Sequence, residues 1–213
     1  SPISGSKSMK LYDDPMSGNG YKARLLLAHL STAYDYIPID ILRGQSRTPE
    51  FLHKNPNGRI PVLELDDGRY LPESNAILFY LAQGTAYWPE DTFLQAQVMQ
   101  WLFFEQYSHE PNIATPRFWI KNKILEDTPF NREMLARKQQ AGRAALAVMD
   151  EHLATRSFFV GERYGIADIA LYAYTHVASE GGFDLAQYPA VVDWLQRVAA
   201  QPNHVTIHQW RAA

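Results

Sequence analysis

The segment RIPVLELDDGRYLPESNAIL, from Arg59 to Leu78, decides the fold of the first part of the chain. Two β-rich runs, Val62–Leu65 and Arg69–Leu71, flank Asp66-Asp67-Gly68, and an Asp-Gly pair between such runs is typical of a tight hairpin. The following run, Glu73–Gln83, carries apolar residues at helical spacing. The segment therefore predicts an antiparallel strand pair that leads directly into a helix.

Four further elements are predicted upstream of this hairpin. They are a short strand at Met9–Tyr12, a helix at Asn19–Leu30, a β-rich run at Tyr34–Ile41 and a short helix at Thr48–Lys54. Two strands joined through a helix are expected to pair in parallel. Residues 9–83 thus predict a compact α/β domain with a mixed sheet.

The composition changes after residue 83. Residues 84–91, GTAYWPED, are rich in Gly, Pro and acid and indicate a linker. Residues 92–213 show helical patterns without a convincing strand, which predicts an all-α domain. Its predicted helices are Thr92–Tyr107, Asn131–Leu153, Ile166–Glu180 and Tyr188–Ala200. Residues 1–8, SPISGSKS, are small, polar and aperiodic, and we interpret them as a flexible lead or an expression-vector remnant.

The totals exclude several classes of protein. The 213 residues are 46% hydrophobic and carry a net charge of −3 without a basic block, so nucleic acid is not an expected partner. No apolar run approaches the length of a membrane span, so no membrane association is expected. The sequence contains no Cys, which removes disulfides, thiolate metal sites and a protein thiol nucleophile. The seven His residues form no metal-ligand spacing, and no metal site is predicted.

Two positions in the opening segment each allow two interpretations. Pro61 suits the entrance of an edge strand, but a cis Ile60–Pro61 bond would leave the Ile60 backbone open to an extended peptide. Glu73-Ser74 could cap the following helix, because a Glu carboxylate in the first turn interacts favourably with the positive end of the helix dipole. The same pair could instead hold an amino-acid head group, with Ser74 binding a carboxylate and Glu73 an ammonium.

The motifs taken in order carry a family resemblance. The turn SGNGYK from Ser17, the run IPVLEL from Ile60, the helix start PESNAIL from Pro72, YWPE from Tyr87 and FFVGERYGIADIALYAY from Phe158 together resemble the cytosolic glutathione transferases, over about residues 9 to 205. The resemblance implies a thioredoxin-like N-terminal domain that binds glutathione as co-substrate and an all-α C-terminal domain. It also implies a cytoplasmic homodimer.

The resemblance assigns the ends of glutathione to particular residues. It implies that Pro61 is the cis-proline and that the Ile60 backbone pairs with the cysteinyl part. Glu73 and Ser74 would hold the γ-glutamyl end. Gln45 and Arg47, in the loop RGQSR, would lie near the glycyl end, although the local match is offset by one residue.

The thiol-activating turn resembles the Ser/Asn type of the family, similar to the bacterial nu class. Ser17 matches the activating hydroxyl and Asn19 the neighbouring amide, and either could also simply cap the helix. Tyr12 lies where other members place an activating tyrosine, but the surrounding turn does not match theirs. Gly20 stands where some Ser/Asn members carry Cys. Lys22 is expected to be exposed, with the glycyl carboxylate as an alternative contact.

The sequence indicates the residues of the electrophile pocket less clearly than those of the glutathione site. The candidate lining residues are Tyr107, His109 and Trp119. Asp168 is predicted to be a structural helix cap that reaches back to the Gly165 N–H. We expect a transferase that activates glutathione thiolate for attack on a small hydrophobic electrophile. Two alternatives stay open: a glutathione-dependent disulfide or peroxide reductase, and a non-catalytic module that binds glutathione or hydrophobic ligands.

Overall fold

The computed structural model describes residues 8–210. The predicted lead therefore lies outside the described residues except for Ser8, whose hydroxyl donates to Asp35 Oδ2 (2.8 Å). The chain forms two compact units. Among the described residues, one comprises residues 8–83 together with residues 202–210, and the other is Gly84–Gln201.

The first unit contains a four-stranded mixed sheet with the strand order β2-β1-β3-β4. Strand β1 pairs in parallel with β2 and antiparallel with β3, and β3 pairs antiparallel with β4 across the predicted Asp-Gly turn. The strands are β1 (Lys10–Asp13), β2 (Asp35–Pro38), β3 (Val62–Glu64) and β4 (Tyr70–Pro72). The thioredoxin-like arrangement expected from the sequence is thus present.

Three helices complete this unit: α1 (Gly18–His29), α2 (Pro49–Lys54) and α3 (Ser74–Ala82). Helix α2 begins as predicted, because Thr48 Oγ1 accepts from the Phe51 N–H (3.2 Å) and Pro49 occupies the first turn. Helices α1 and α3 pack against one another and share a core with the sheet. The fully or almost fully buried members of this core are Leu11, Ala23, Leu63, Leu65 and Ile77.

Residues 202–210 belong to the first unit and contact α1, whereas the sequence placed them with the helical domain. Tyr21 donates its hydroxyl hydrogen to the Val205 carbonyl (2.6 Å), and Arg24 Nη1 donates to the Ile207 carbonyl (3.0 Å). Irregular backbone leaves carbonyls that need donors, and α1 supplies them. Helix α1 is consequently buried on almost every side instead of along a single apolar stripe.

The second unit is helical. Helix α7 is buried along its whole length, and α5 was not predicted because Pro111 and Pro116 indicate a break. Pro111 is tolerated in the first turn of α5, where an N–H has no intrahelical acceptor. A π-helical turn, Glu105–His109, joins α4 to α5 where the sequence predicted a continuous helix to Tyr107. The helices are α4 (Thr92–Phe104), α5 (Glu110–Lys121), α6 (Pro129–Leu153), α7 (Ile166–Thr175) and α8 (Pro189–Ala199).

Asp168 ties three segments of the second unit together. One carboxylate oxygen accepts from Gly165 N–H (3.0 Å), which is the bond expected from the sequence. The other accepts from Phe159 N–H (3.0 Å) and from Trp194 Nε1 (2.9 Å), both of which the sequence could not indicate. Burial raises the pKa of the Asp168 carboxyl to about 7, although the hydrogen bonds from Trp194 and the backbone lower it.

No helix within residues 8–210 is both long enough and apolar enough to cross a membrane.

Candidate functional site

Strand register brings the three candidate segments of the first unit to one edge of the sheet. Tyr12 is paired with Val62, and Val62 is paired with Pro72. The turn after β1, the residues before β3 and the residues after β4 therefore start from neighbouring positions. Helices α1 and α3 both begin at this edge, so their positive N-terminal ends lie on the same side of the sheet.

Asp14 organises the turn between β1 and α1. Its carbonyl accepts from the Ser17 N–H (2.9 Å), and its Oδ1 accepts from the Met16 N–H (3.0 Å). Its Oδ2 accepts from the Ile41 N–H (3.2 Å), which joins the turn to the segment after β2. The sequence did not single out Asp14, although an Asp that begins a turn is a recognisable signal.

Ser17 is the N-cap residue of α1. Its backbone is extended (φ −78°, ψ 127°), and its Oγ accepts from the Gly20 N–H (3.4 Å). The structure thus realises the capping interpretation of Ser17. In this contact Oγ accepts through a lone pair, so the Ser17 hydroxyl can still donate its hydrogen to another acceptor.

Asn19 is linked to the start of α3 through a polar network. Ser74 Oγ lies 3.4 Å from Asn19 Oδ1, and Lys22 Nζ lies 3.2 Å from both Ser74 Oγ and Asn75 Oδ1. Lys22 is fully buried, so the expectation that it is exposed was wrong. Its side chain lies inside because α1 is covered on both sides, which a helical pattern alone does not reveal.

A buried ion pair lies beneath the first turn of α1. Asp13 Oδ2 is 3.5 Å from Arg24 Nε and accepts from the Tyr36 hydroxyl (3.1 Å). Asp13 Oδ1 has no hydrogen-bond partner among the described residues. Burial raises the pKa of Asp13 to about 7, while Arg24 and the Tyr36 hydroxyl lower it. The sequence missed this pair, because charged residues in a helical pattern ordinarily indicate an exposed face.

Tyr12 is engaged away from the α1 turn. Its hydroxyl donates to Glu64 Oε1 (3.2 Å), and Lys54 Nζ lies 5.3 Å from its ring centroid. Burial and the neighbouring Glu64 carboxylate raise the pKa of Tyr12 to about 12. These contacts make Tyr12 a poor donor to a thiolate at the start of α1.

The residues before β3 and after β4 have unusual backbone. The Ile60–Pro61 peptide bond is cis, Pro61 is buried and Ile60 is half-buried. Glu73 is exposed and has a positive φ of 75° with ψ of 111°. A non-glycine residue in such a conformation costs about 1–3 kcal/mol, and such strain clusters at binding sites. Ser74 follows as the first residue of α3 and is only 5% exposed.

Gln45 and Arg47 lie in the exposed loop between β2 and α2. Gln45 Oε1 accepts from the Asp40 N–H (2.8 Å), so this amide stabilises the loop itself. The Arg47 side chain covers Gly58, where a Cβ would lie 2.8 Å from its Cζ. Arg47 therefore lies beside the loop that leads into Ile60, while Gln45 faces its own loop.

The candidate pocket residues of the second unit differ in their surroundings. Tyr107 is 86% exposed, and Trp119 is half-buried. His109 is fully buried, with Nε2 2.8 Å from Thr175 Oγ1, so it does not present its ring at a surface as a lining residue would. Tyr107 and His109 are two positions apart, and such residues lie on opposite sides of a helical turn, so they do not share one face. Within residues 8–210, no group of three or more His, Asp or Glu side chains is placed to hold a metal ion.

Comparison with known proteins identifies both units. The family profile "Glutathione S-transferase, N-terminal domain" matches residues 7–83, and "Glutathione S-transferase, C-terminal domain" matches residues 96–202. A crystal structure of glutathione S-transferase from Pseudomonas fluorescens Pf-5 is 51% identical, covers 93% of this chain and 98% of its own, and superposes with a TM-score of 0.91. Ure2p in complex with S-p-nitrobenzylglutathione is 25% identical with a TM-score of 0.84, and the match covers 94% of each chain.

Two curated relatives have other names. Disulfide-bond oxidoreductase YfcG of Escherichia coli K12 is 31% identical, and the match covers 86% of this chain and 87% of YfcG. Elongation factor 1-gamma of Equus caballus is 35% identical over 91% of this chain, but this chain spans only 44% of that protein. Similar sequences therefore occur in proteins that carry different names.

Proposed function

Because the chain belongs to the glutathione S-transferase family, we propose that it is a transferase of the Ser/Asn type that activates glutathione thiolate for attack on a small hydrophobic electrophile. The observation that carries this proposal is the meeting of two helix N-termini at one sheet edge. Ser17 and Asn19 lie at the start of α1, and Ser74 lies at the start of α3. Backbone N–H groups and helix dipoles at such ends favour anions.

The tripeptide is assigned to these segments from its γ-glutamyl end. Ser74 binds the α-carboxylate, and the exposed Glu73 binds the ammonium. The Ile60 backbone pairs with the cysteinyl part. Arg47 approaches the glycyl end over Gly58, and its position next to the Ile60 loop supports this assignment better than that of Gln45, whose amide already serves Asp40.

The sulfur then lies at the α1 turn, where Ser17 and Asn19 stabilise its ionised form. A free thiol titrates near about 8.5, and lowering this pKa by about two units needs roughly 2.7 kcal/mol. A helix N-terminus contributes about 0.3–2 kcal/mol. A hydrogen bond to the charged sulfur contributes about 1.5–3 kcal/mol. Together these contributions suffice without a metal or a protein thiol.

The electrophile is bound by the helical unit. Tyr107 and Trp119 remain lining candidates because Tyr107 is exposed and Trp119 is only half-buried. In this proposal the thiolate forms a bond to the electrophilic carbon, and the leaving group departs with its electron pair. Family membership also leads us to propose a cytoplasmic homodimer.

Binding of glutathione is the first test. We expect the protein to be retained on immobilised glutathione and to melt at a higher temperature with free glutathione, as a ligand that binds only the native state requires. Turnover of an aryl halide then tests the reaction. If the protein neither binds the resin nor melts at a higher temperature with glutathione, the assignment of the glutathione site is wrong.

A second candidate activity is glutathione-dependent reduction of disulfides or peroxides. The 31% identity to disulfide-bond oxidoreductase YfcG favours it, and the absence of Cys is no obstacle because glutathione supplies the thiol. The glutathione thiolate would attack one sulfur of a mixed disulfide and form a new disulfide bond to it. The other sulfur would leave as a thiolate with the electron pair of the broken bond. Turnover of a small mixed disulfide but not of an aryl halide would select this activity. Binding of glutathione without either turnover would select the non-catalytic module.

A further inference from the structure

The Arg24 guanidinium joins two parts of the first unit that are far apart in sequence. Its Nη1 donates to the Ile207 carbonyl (3.0 Å), in the C-terminal segment formed by residues 202–210. Its Nη2 donates to the Pro15 carbonyl (3.3 Å), and its Nε lies 3.5 Å from Asp13 Oδ2, both just before α1. Arg24 is only 1% exposed, so water does not screen these contacts. One side chain therefore holds the C-terminal segment against the turn that leads into α1.

The C-terminal segment reaches Asp13 by a second route. The Trp210 ring packs against the Tyr36 ring, with centroids 5.5 Å apart. The Tyr36 hydroxyl donates to Asp13 Oδ2 (3.1 Å) and lies 3.3 Å from the Asp13 carbonyl oxygen. The Asp13 carboxylate in turn lies directly against Gly20, in the first turn of α1. Both routes therefore end beneath the first turn of α1, so a segment distant in sequence supports that turn.

The proposed thiol contacts depend on where this turn lies. Ser17 and Asn19 must reach a sulfur that other segments hold in place, and hydrogen bonds weaken steeply when their geometry is lost. Residues of a binding site therefore need neighbouring side chains that fix their position. Arg24 also places a positive charge beside Asp13, and this charge offsets a carboxylate that would otherwise oppose a thiolate at the same turn. Position and charge thus act in the same direction, in favour of the thiolate.

Resting on the proposed function, we propose that Arg24 is a positioning residue for thiol activation and that the C-terminal segment acts through it. The segment holds the guanidinium from one side, and the guanidinium holds the α1 turn from the other. Neither of them is assigned a contact with glutathione. Loss of either should therefore weaken stabilisation of the thiolate and leave binding of the rest of the tripeptide intact.

Two ligands separate this role from a general loss of structure. Glutathione has an ionisable thiol, and S-methylglutathione is the same tripeptide without one. Ultraviolet absorbance gives the pKa of the bound glutathione thiol, and calorimetry gives the affinity for S-methylglutathione. We expect Arg24→Met to raise the thiol pKa by about one unit and to keep the affinity for S-methylglutathione within about twofold. An unchanged thiol pKa, or a marked loss of affinity for S-methylglutathione, would overturn the proposal.

Two further variants separate charge from position. Arg24→Lys keeps the charge, but an ammonium lacks the planar fork that reaches both segments, so its thiol pKa should lie between those of wild type and Arg24→Met. The buried Ile207 side chain anchors the C-terminal segment, and Ile207→Asn should loosen it without adding a charge. If the segment acts through Arg24, the effect of Arg24→Met on the thiol pKa should be smaller in the Ile207→Asn background. Full additivity would overturn the link between the two.

Arg117→Met is the matched control in the second unit. Arg117 is also buried, and its Nε donates to Glu180 Oε2 (2.7 Å). This variant should melt at a lower temperature and keep the wild-type pKa of the bound thiol. A similar rise of the thiol pKa in Arg117→Met would show that thiol activation follows overall stability, and it would overturn the specific role of Arg24.

Hydrogen exchange in the wild type covers the case in which the Arg24 variants do not fold. Coupling between sites is reciprocal, so a thiolate that is stabilised by the C-terminal segment must also stabilise that segment. At one pH, the amides of residues 202–210 should exchange more slowly with bound glutathione than with bound S-methylglutathione. Equal protection by both ligands would overturn this inference alone. If the wild type binds no glutathione, the proposed function fails and this inference fails with it.

Discussion

Gly20 lies directly against Asp13: a Cβ built on Gly20 would be 1.6 Å from Asp13 Oδ1. The carboxylate is fully buried and held by Arg24 and Tyr36, so it has no open space into which to move. The glycine is therefore required by its neighbour, and not by its backbone conformation. Any side chain at this position must displace the ion pair beneath the α1 turn.

The contact predicts that Gly20→Ala destabilises the protein. On an open helix the change would stabilise by up to about 1 kcal/mol, because Ala is the better helix former. Here the clash should reverse the sign and lower the free energy of unfolding by about 1–3 kcal/mol, as overpacking does. Gly20→Cys, the residue of some related sequences, should be at least as harmful. Denaturant titration measures the change.

A double-mutant cycle with Asp13→Ala identifies the cause. If the clash is with the carboxylate, Gly20→Ala should cost much less free energy in the Asp13→Ala background than in the wild type. Equal costs in both backgrounds would show that another neighbour resists the methyl group. A Gly20→Ala protein more stable than the wild type would contradict the geometry altogether.

Tyr12→Phe should leave thiol activation intact. The Tyr12 hydroxyl donates to Glu64 and has a raised pKa of about 12, so it is not available to a sulfur at the α1 turn. We expect turnover to change by less than about twofold. The pKa of the bound glutathione thiol should change by only about a few tenths of a unit. Ultraviolet absorbance of the thiolate reports the pKa. A large rise would return the activating role to Tyr12.

Ser17 combines a cap with the proposed thiol contact, and substitutions can separate the two. Ser17→Ala should lower stability by about 0.5–2 kcal/mol and raise the pKa of the bound thiol. Ser17→Asp keeps a side-chain oxygen for the Gly20 N–H but places a negative charge beside the sulfur. It should retain stability and still raise the thiol pKa.

Asn19→Ala leaves that cap in place and removes the amide held near Ser74. We expect it to raise the pKa of the bound thiol by about one to two units, which corresponds to one charged hydrogen bond. Comparison with Ser17→Ala, by the same absorbance titration, shows which residue contributes more. If neither substitution moves the thiol pKa, activation does not occur at this turn.

The sequence predicts local features of the first unit well, because they depend on neighbouring residues. The Asp66-Asp67-Gly68 turn and the Thr48-Pro49 helix start are examples. It does not predict the burial of Lys22 and Arg24. The Ile207 carbonyl that covers Arg24 is 183 positions away, in a segment without periodicity. Contacts of this kind depend on how distant segments meet, so the polar network that links Asn19 to α3 was missed as well.

Asp168→Ala should cost more than the loss of a simple helix cap. The Asp168 carboxylate accepts the predicted hydrogen bond from Gly165 N–H and two more, from Phe159 N–H and Trp194 Nε1. Removal of the carboxylate therefore leaves these three donors without their acceptor. We expect the free energy of unfolding to fall by about 2–5 kcal/mol. Thermal melting compared with Asp66→Ala, on an exposed turn, measures the loss. A change below about 1 kcal/mol would contradict the network.

The pH dependence of stability gives a separate test of Asp168. Burial raises its pKa from 3.8 to about 7, so between these values the native state holds a proton that the unfolded chain releases. This contribution to stability is complete below about pH 4 and is lost as the pH rises to about 7. Asp168→Asn cannot titrate, so the stability difference between wild type and variant should shrink from pH 5 to pH 8.

Asp13 has a similarly raised pKa, but it is present in both proteins, so its slope cancels in the difference. Asp66→Asn should show the wild-type slope, because Asp66 lies on the exposed turn between β3 and β4. Denaturant midpoints at several pH values provide the data. A difference that stays constant from pH 5 to pH 8 would mean that the three N–H donors outweigh burial and keep Asp168 ionised in the native state.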